Sequence, residues 1–563
     1  MTPPLRLLVI GGYGTFGGRL VDLLANEPRL AILVAGRSEA RAEAFCRARQ
    51  RAMASLHPVA FDRGGDLETQ LSRLAPDVAV DASGPFQAYG TDPYRLVRAC
   101  IARRVSYLDL ADGADFVGGI GAFDAAAAAA GVFVLSGVSS FPVLTAAVAR
   151  ALAHDMTCVR TITAGIAPSP FAGVGENVIR AIASYAGRPV RLRREGVWTT
   201  GYPFTDGRRF VVAPPGWVPL ESRHFSLVEV PDLQALATLW PDARDIWIGA
   251  APVPPSLHFC LRLLARLVRW RLLPSLRRLA PLMLVATNRL RWGDDRGGMF
   301  VAVTGEDAER RPVDRSWHLL AEGQDGPLIP SMAVEGLVRG LLAGKMPAPG
   351  ARSAVQELEL ADYERLFADR RIATGFRRDA SGQRLYRGLL GSAWEALAPE
   401  IRALPDLGET IEADGRAIVE RGTGLLSRLV AAFVGFPAAT DDVALRVRFS
   451  VTRDGEVWTR TFGRRSFSSR QWAGRGRSER LLCERFGPVT VAMAPVVAEG
   501  RLRLVLRRWS FLGVPLPLAL GPRADVVERA AAGRFAFDVA ISHSLTGLIV
   551  RYRGWLATAS AKA

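Results

Sequence analysis

Short apolar runs of strand length alternate with helical patterns at the start of the chain. Leu7-Leu8-Val9-Ile10 ends in glycines, and residues 19–24 then place Leu20, Val21, Leu23 and Leu24 with helical spacing. Further strand-like runs fall at 30–35, 59–61, 78–80, 105–110 and 132–135, with helical patterns at 94–101 and 122–130. This alternation predicts a parallel, doubly wound sheet over 1–150 and an α/β fold class. Residues 151–380 read as a mixed α+β domain. Strands are expected at 159–166 and 300–304 and helices at 176–185 and 329–342, with a turn-rich stretch at 203–255 and a linker-like one at 347–352. Residues 385–563 change character. After helices at 392–403 and 424–434, Leu445, Val447, Phe449 and Val451 alternate, and Asp454-Gly455 signals a hairpin before 457–462. More strands are expected at 489–497, 501–511, 534–541 and 547–555, so this region is predicted to be an antiparallel-sheet α+β domain.

Composition narrows the classes. The 563 residues are 49% apolar and 23% charged, which argues against long disorder. No apolar run reaches the length of a spanning helix. Five dispersed cysteines without a CxxC pair exclude a zinc ribbon and a disulfide framework, so no metal site is expected. They fit a reducing compartment, and with no secretory pattern at the start the expected location is cytoplasmic. The net charge is +17, and Lys345 and Lys562 are the only lysines. No mechanism in the first 344 residues can therefore use a Schiff-base or P-loop lysine. Leu341 and Thr558 stand four residues before the two lysines, so the Tyr-x-x-x-Lys pair of short-chain dehydrogenases is absent.

The chemistry-bearing motif is Gly11-Gly12-Tyr13-Gly14-Thr15-Phe16-Gly17, a GxGxxG that follows a strand and opens a helix. In that context one glycine permits the turn, one lets backbone approach a pyrophosphate and one lets the helix pack on the strand, the Rossmann arrangement. The helix N-terminus offers free N–H groups to the phosphates. Arg37 and Ser38 stand after the second strand, where NAD sites carry an acid for the ribose hydroxyl. An arginine there pairs with a 2′-phosphate, so NADP is expected in preference to NAD. Ser83, Gly84 and Pro85 end the fourth strand at the cofactor crevice.

Together with Phe86, Tyr89-Gly90, Ala99-Cys100, Tyr107-Leu108-Asp109 and Ser139-Ser140-Phe141-Pro142, these motifs resemble the saccharopine-dehydrogenase-like oxidoreductases. The resemblance is dense over 1–150 and looser to about 370, with Trp317-His318 and Ile329-Pro330-Ser331. The C-terminal part resembles an uncharacterised domain often fused to such proteins. The resemblance implies an NAD(P)-dependent oxidoreductase acting on amino-acid-derived imines or on lipids. It does not single out a catalytic residue. Asp109, Asp112, Tyr107 and His318 are polar groups in suitable places, and each can equally be structural.

Residues 256–292 hold eight arginines and no acid. Arg262, Arg266 and Arg269 share a helix face over 257–273, and Trp270 follows. A basic amphipathic helix of this kind predicts contact with an anionic membrane surface, at the inner face of the plasma membrane. A homodimer interface is the alternative. Residues 445–485 carry eleven arginines among aromatic residues, but no nucleic-acid-binding signature accompanies them. The combined expectation is hydride transfer to a C=C, C=O or C=N bond of an apolar or lipid-linked substrate at a membrane surface. The alternatives are a soluble amino-acid or imine reductase, and a non-catalytic NADP-binding or lipid-binding scaffold.

Overall fold

The computed structural model describes residues 3–252, 254–379, 384–403 and 410–558. Lys562 lies outside the described residues. The chain divides into two compact units: residues 1–209, 224–316 and 320–372, and residues 210–223, 317–319 and 373–563. The regions expected as separate domains at 1–150 and 151–380 thus share the first unit through residue 372. The second unit begins at 373 and also takes in two short earlier segments.

The first unit is built on a parallel sheet. Its strands are β1 (Leu5–Ile10), β2 (Leu30–Gly36), β3 (Ser55–Ala60), β4 (Val78–Asp81), β5 (Ser106–Asp109) and β6 (Phe133–Ser136), in the order β6-β5-β4-β1-β2-β3. β2 is buried along its whole length, as expected of a strand covered by helices on both faces. The strand order reverses between β4 and β1, and a doubly wound sheet binds ligands at the C-terminal ends of its strands beside such a point. Gly350–Ser353 adds a seventh strand parallel to β6. This corrects the linker expected at 347–352. Four residues have too little pattern to announce a strand, and only the edge of β6 makes them one.

A mixed sheet in the same unit sets Arg223–Leu227, Asp245–Ala250, Cys158–Ala167 and Gly297–Glu306 side by side. The helix Glu176–Tyr185 forms where its pattern predicts, and so does the helix Ile329–Leu342. The basic segment folds as two helices, Pro255–Arg269 and Ala280–Arg289. The first ends before 273 because Arg271 turns to a positive φ of 62° and Pro274 cannot continue a helix.

The second unit contains a closed antiparallel barrel of ten strands. Around it run Val489–Ala498, Leu482–Phe486, Arg465–Ala473, Gly455–Phe462, Thr440–Thr452, Ile411–Arg421, Gly547–Thr558, Arg534–His543, Arg523–Ala531 and Arg501–Phe511. The last pairs back onto the first from Val489↔Phe511 to Ala498↔Arg501 and leaves no open edge there. Leu445, Val447 and Phe449 alternate inward, as their spacing predicts.

Candidate functional site

The glycine-rich turn leaves β1 at the strand-order reversal. Gly11 has φ +79°, and the Gly11 and Gly12 N–H groups both donate to Ala35 O, at 2.9 and 3.0 Å. Helix α1 (Thr15–Leu24) starts directly after Gly14 with no side chain capping it, so the amides of its first turn stay open to an anion. Gly14 and Thr15 are exposed, while Gly12 and Gly17 are buried. A Cβ on Gly17 would lie 2.3 Å from Gly11 O. Gly17 therefore serves the packing of α1 against the turn, and Gly14 is where a phosphate group can approach the backbone. Phe16 and Pro85 lie on the wall of the cavity described below.

The Tyr13 ring reaches across to the end of β2. Its hydroxyl accepts the Ser38 N–H at 3.0 Å, and it packs against Gly36, where a Cβ would come within 2.4 Å of the hydroxyl oxygen. Ser38 caps helix α2 (Glu39–Arg47) by accepting the Arg41 N–H, and the Arg41 guanidinium lies 4.9 Å from the Tyr13 ring. Arg37 is exposed beside them. Sequence reasoning found Arg37 and Ser38 and missed Arg41. The available signal was its position three residues after the capping serine, which returns it to the helix N-terminus. These residues fit the nucleotide of an NAD(P) cofactor: an uncapped helix start, a turn that admits no side chain at Gly17, and two arginines beyond β2.

The loop after β4 is tied down on both sides. Ser83 donates to Asp81 through its N–H at 3.0 Å and its hydroxyl at 2.6 Å, and Tyr89 Oη stands 3.0 Å from that hydroxyl. Asn177 Nδ2 donates to Ser83 O and Gly84 O, each at 3.0 Å. Asp109, at the end of β5, is fully buried and accepts from Ala111 N–H, Gly137 N–H and Ser136 Oγ–H at 2.8–3.0 Å. Its burial pushes the carboxyl up to about 7. Tyr107 is also fully buried, and burial raises its phenol. Neither residue lines the cavity described below. His318 belongs to the second unit, where Nδ1 accepts the Ala213 N–H at 3.3 Å and burial holds the ring neutral.

A cavity of about 480 Å³ begins at these loops, between Phe16, Ala82, Gly84–Phe86 and Ser139–Phe141. It continues between the helices Glu176–Tyr185, Pro255–Arg269 and Ala280–Arg289, walled by Leu257, Leu261, Leu264, Leu282 and Met283. No arginine or lysine lines it among the described residues. Its polar groups include Asp112, Glu229 and Tyr185. Glu229 accepts the Ala114 N–H at 2.8 Å, and burial lifts its carboxyl to about 7. Asp112 accepts from Gln87 Nε2 at 3.1 Å and is also raised by burial. His258 lies on the wall with Nε2 2.8 Å from Ser226 Oγ, and burial lowers it to about 3. Burial thus keeps this ring in its neutral form at neutral pH.

The basic segment turns its inner leucines to this cavity. Arg262 and Arg266 are half-buried, whereas Arg269 is exposed with its guanidinium 4.4 Å from the Tyr202 ring, so only the last of the three points outward as expected. The outward positions are Phe259, Leu263, Trp270, Leu272, Leu282 and Trp292, together with Arg271, Arg277, Arg278, Arg289 and Arg291. No helix among the described residues is long and apolar enough to cross a membrane.

Residues 7–135 match the family model of the saccharopine dehydrogenase NADP binding domain. The N-terminal domain is thus similar to the NADP-binding domain of saccharopine dehydrogenases. Residues 397–556 match a domain of unknown function, DUF4166. No curated protein sequence matches the chain. Among solved structures, apo saccharopine dehydrogenase (L-Glu forming) from Saccharomyces cerevisiae is similar at 12% identity, over 67% of this chain and 100% of that one, with a TM-score of 0.48. GenD2 from gentamicin A biosynthesis, in complex with NAD, is similar at 13% identity over 62% and 90%, with a TM-score of 0.32. The WlbA dehydrogenase from Thermus thermophilus, in complex with NAD and alpha-ketoglutarate, is similar at 14% identity over 61% and 90%, with a TM-score of 0.28.

Proposed function

We propose that the protein is an NADPH-dependent reductase of an apolar, lipid-linked substrate, working at a membrane surface. The observation that carries this reading is the cavity that leaves the cofactor loops and runs between leucine-lined helices without a cationic side chain on its wall. An amino-acid or imine substrate with carboxylates would find no arginine there to pair with, which disfavours the soluble alternative. The cofactor, when bound, supplies the hydride. Gly14 and the first turn of α1 hold its phosphates, and Arg37, Ser38 and Arg41 favour the 2′-phosphate of NADP.

The chain's own contribution to the reaction is a proton. Glu229, lifted to about 7, is partly protonated at neutral pH and faces the same cavity, so it can protonate the reduced atom. Tyr185 and the Asp112–Gln87 pair beside it help shape that end of the cavity. The exposed Trp270, Leu272, Leu282 and Trp292, set among five outward arginines, suit an interfacial contact through which such a substrate enters. The test is loss of NADPH absorbance with detergent-dispersed long-chain ketones and enones, beside short-chain analogues. Turnover restricted to the long-chain compounds supports the reading. Tight NADPH binding without turnover of any of them supports the scaffold instead.

A further inference from the structure

The second unit holds a cavity that the oxidoreductase reading does not use. Its volume is about 450 Å³, and it fills the barrel interior. The wall is apolar over most of its length, with Phe449, Phe462, Met493, Leu504, Phe535 and Phe537 among its side chains. One end is a mouth. There the helix Leu425–Val434 borders the cavity with Leu426, Val430 and Val434, and Leu425, Leu426, Leu429, Val430 and Phe433 are exposed. Ser427 Oγ pins this helix to Leu548 O at 2.7 Å. The hairpin tip at Leu545, 79% exposed, also borders the cavity, and His543 brings the exposed Leu520 to the same rim at 3.2 Å.

Deeper inside lies a small polar group of side chains. Glu484 accepts from Ser469 Oγ at 2.6 Å and Arg460 Nη2 at 3.4 Å, and Tyr386 Oη donates to Gln471 Oε1 at 2.9 Å. Glu528 stands with them on the wall, 5% exposed, and its buried Oε2 has no hydrogen-bond partner in the protein. A buried acceptor left unmade keeps its full desolvation penalty, so this oxygen is where a ligand's donor gains most. Glu528 is opposite Phe537 in the ladder, six residues from His543 at the rim. At strand rise this places the polar group about 20 Å down the strand from the mouth.

We propose that the barrel binds a single-chain amphiphile with an uncharged hydroxyl head, its head on Glu528 and its alkyl chain toward the mouth. The shape asks for one alkyl chain, and the charges choose the head. The cavity wall offers one arginine, Arg460, which Glu484 and Ser469 already hold, against the two acids Glu484 and Glu528. A carboxylate or phosphate head would meet Glu528 with no cation left to receive it, and an ammonium head would carry the same desolvation cost of a buried charge that raises the Glu528 carboxyl. The inference does not depend on the oxidoreductase reading, since no residue of it belongs to the cofactor-binding unit.

The test uses the full chain and a dodecanol carrying a photoreactive diazirine on its alkyl chain. Crosslinks are expected in peptides covering 523–531 and 534–543, with competition by dodecanol at least tenfold better than by dodecanoate or dodecylamine. Glu528→Leu, which removes the acceptor, should weaken dodecanol about tenfold, and Val526→Trp, which fills the cavity, should abolish barrel labelling. NADPH affinity should be unchanged in both. Labelling of the intact protein confined to peptides covering 255–289 would overturn the proposal and leave the substrate cavity standing. Equal or better competition by dodecanoate or dodecylamine would overturn the hydroxyl head. Because these arms use the unaltered protein, they decide the matter even where a variant fails to fold.

Discussion

Replacing Gly17 with alanine tests the cofactor turn most sharply. The new Cβ would sit 2.3 Å from Gly11 O, 2.8 Å from Gly11 C and 3.0 Å from Gly12 Cα. All three are backbone atoms, so no side chain can swing aside. Ordinary contact begins near 3.4 Å, and the start of α1 must therefore part from the turn by about 1 Å. A phosphate bridging amides on both sides would see a hydrogen bond of about 2.9 Å stretch to about 3.9 Å, beyond useful range. Each charge-assisted bond lost is worth about 1.5–3 kcal/mol, so losing one weakens the nucleotide by about ten- to a hundredfold, and losing two by the product. NADPH affinity is read by fluorescence titration and the fold by thermal melting. The expected result is at least a tenfold loss of NADPH affinity, together with a lower melting temperature, because α1 loses its seat. Gly14→Val should weaken NADPH with a smaller effect on melting, because its Cβ meets only Gly11 backbone, at 3.0 Å or more. A Gly17→Ala protein that binds NADPH within threefold of the parent and melts at the same temperature would refute the assignment of this turn.

Arg37→Asp with Arg41→Ala should shift preference from NADPH toward NADH by about ten- to a hundredfold, measured as the ratio of the two dissociation constants; an unchanged ratio makes both surface arginines. Glu229→Gln should lower kcat by about a hundredfold or more. In the parent, kcat/KM should fall as pH rises past about 7, where Glu229 loses its proton, and the variant's residual rate should lack that limb. Asp109, Glu229, Asp232 and Glu528 are each raised to about 7 by burial. The folded state holds their protons more tightly than the unfolded state, so the stability they contribute is complete at low pH and is lost as pH rises through 7. Buried His258 and His318 pull the other way, so the test is a difference: Asp109→Asn should make the melting temperature fall less, or rise more, than the parent's between pH 5 and pH 8, and an unchanged slope would contradict the raised carboxyl. Trp270→Ser with Leu272→Ser should release the protein from anionic liposomes in a sedimentation assay, whereas Arg262→Glu should chiefly lower the melting temperature, since that side chain is half-buried.

Much of the first unit is legible in the chain because its signals are local. The GxGxxG turn, the runs that became β1 to β6, and the helices Glu176–Tyr185 and Ile329–Leu342 all lie within one element and its immediate neighbours. Periodicity and turn chemistry report what a few consecutive residues can do. The strands Ile411–Arg421, Arg465–Ala473 and Arg523–Ala531 escaped notice because arginine, serine and alanine fill many of their positions, and only partners on both sides make them strands. The basic segment shows how a correct amphipathic pattern leaves the direction of its faces open. Leu261 and Leu264 could face lipid, a second subunit or the protein's own interior, and only the tertiary structure places them on a cavity wall. Glu229 and Glu528 look like surface acids in sequence. Their raised carboxyls exist only because distant strands and helices exclude water from them, a property of the assembled fold that no local pattern encodes.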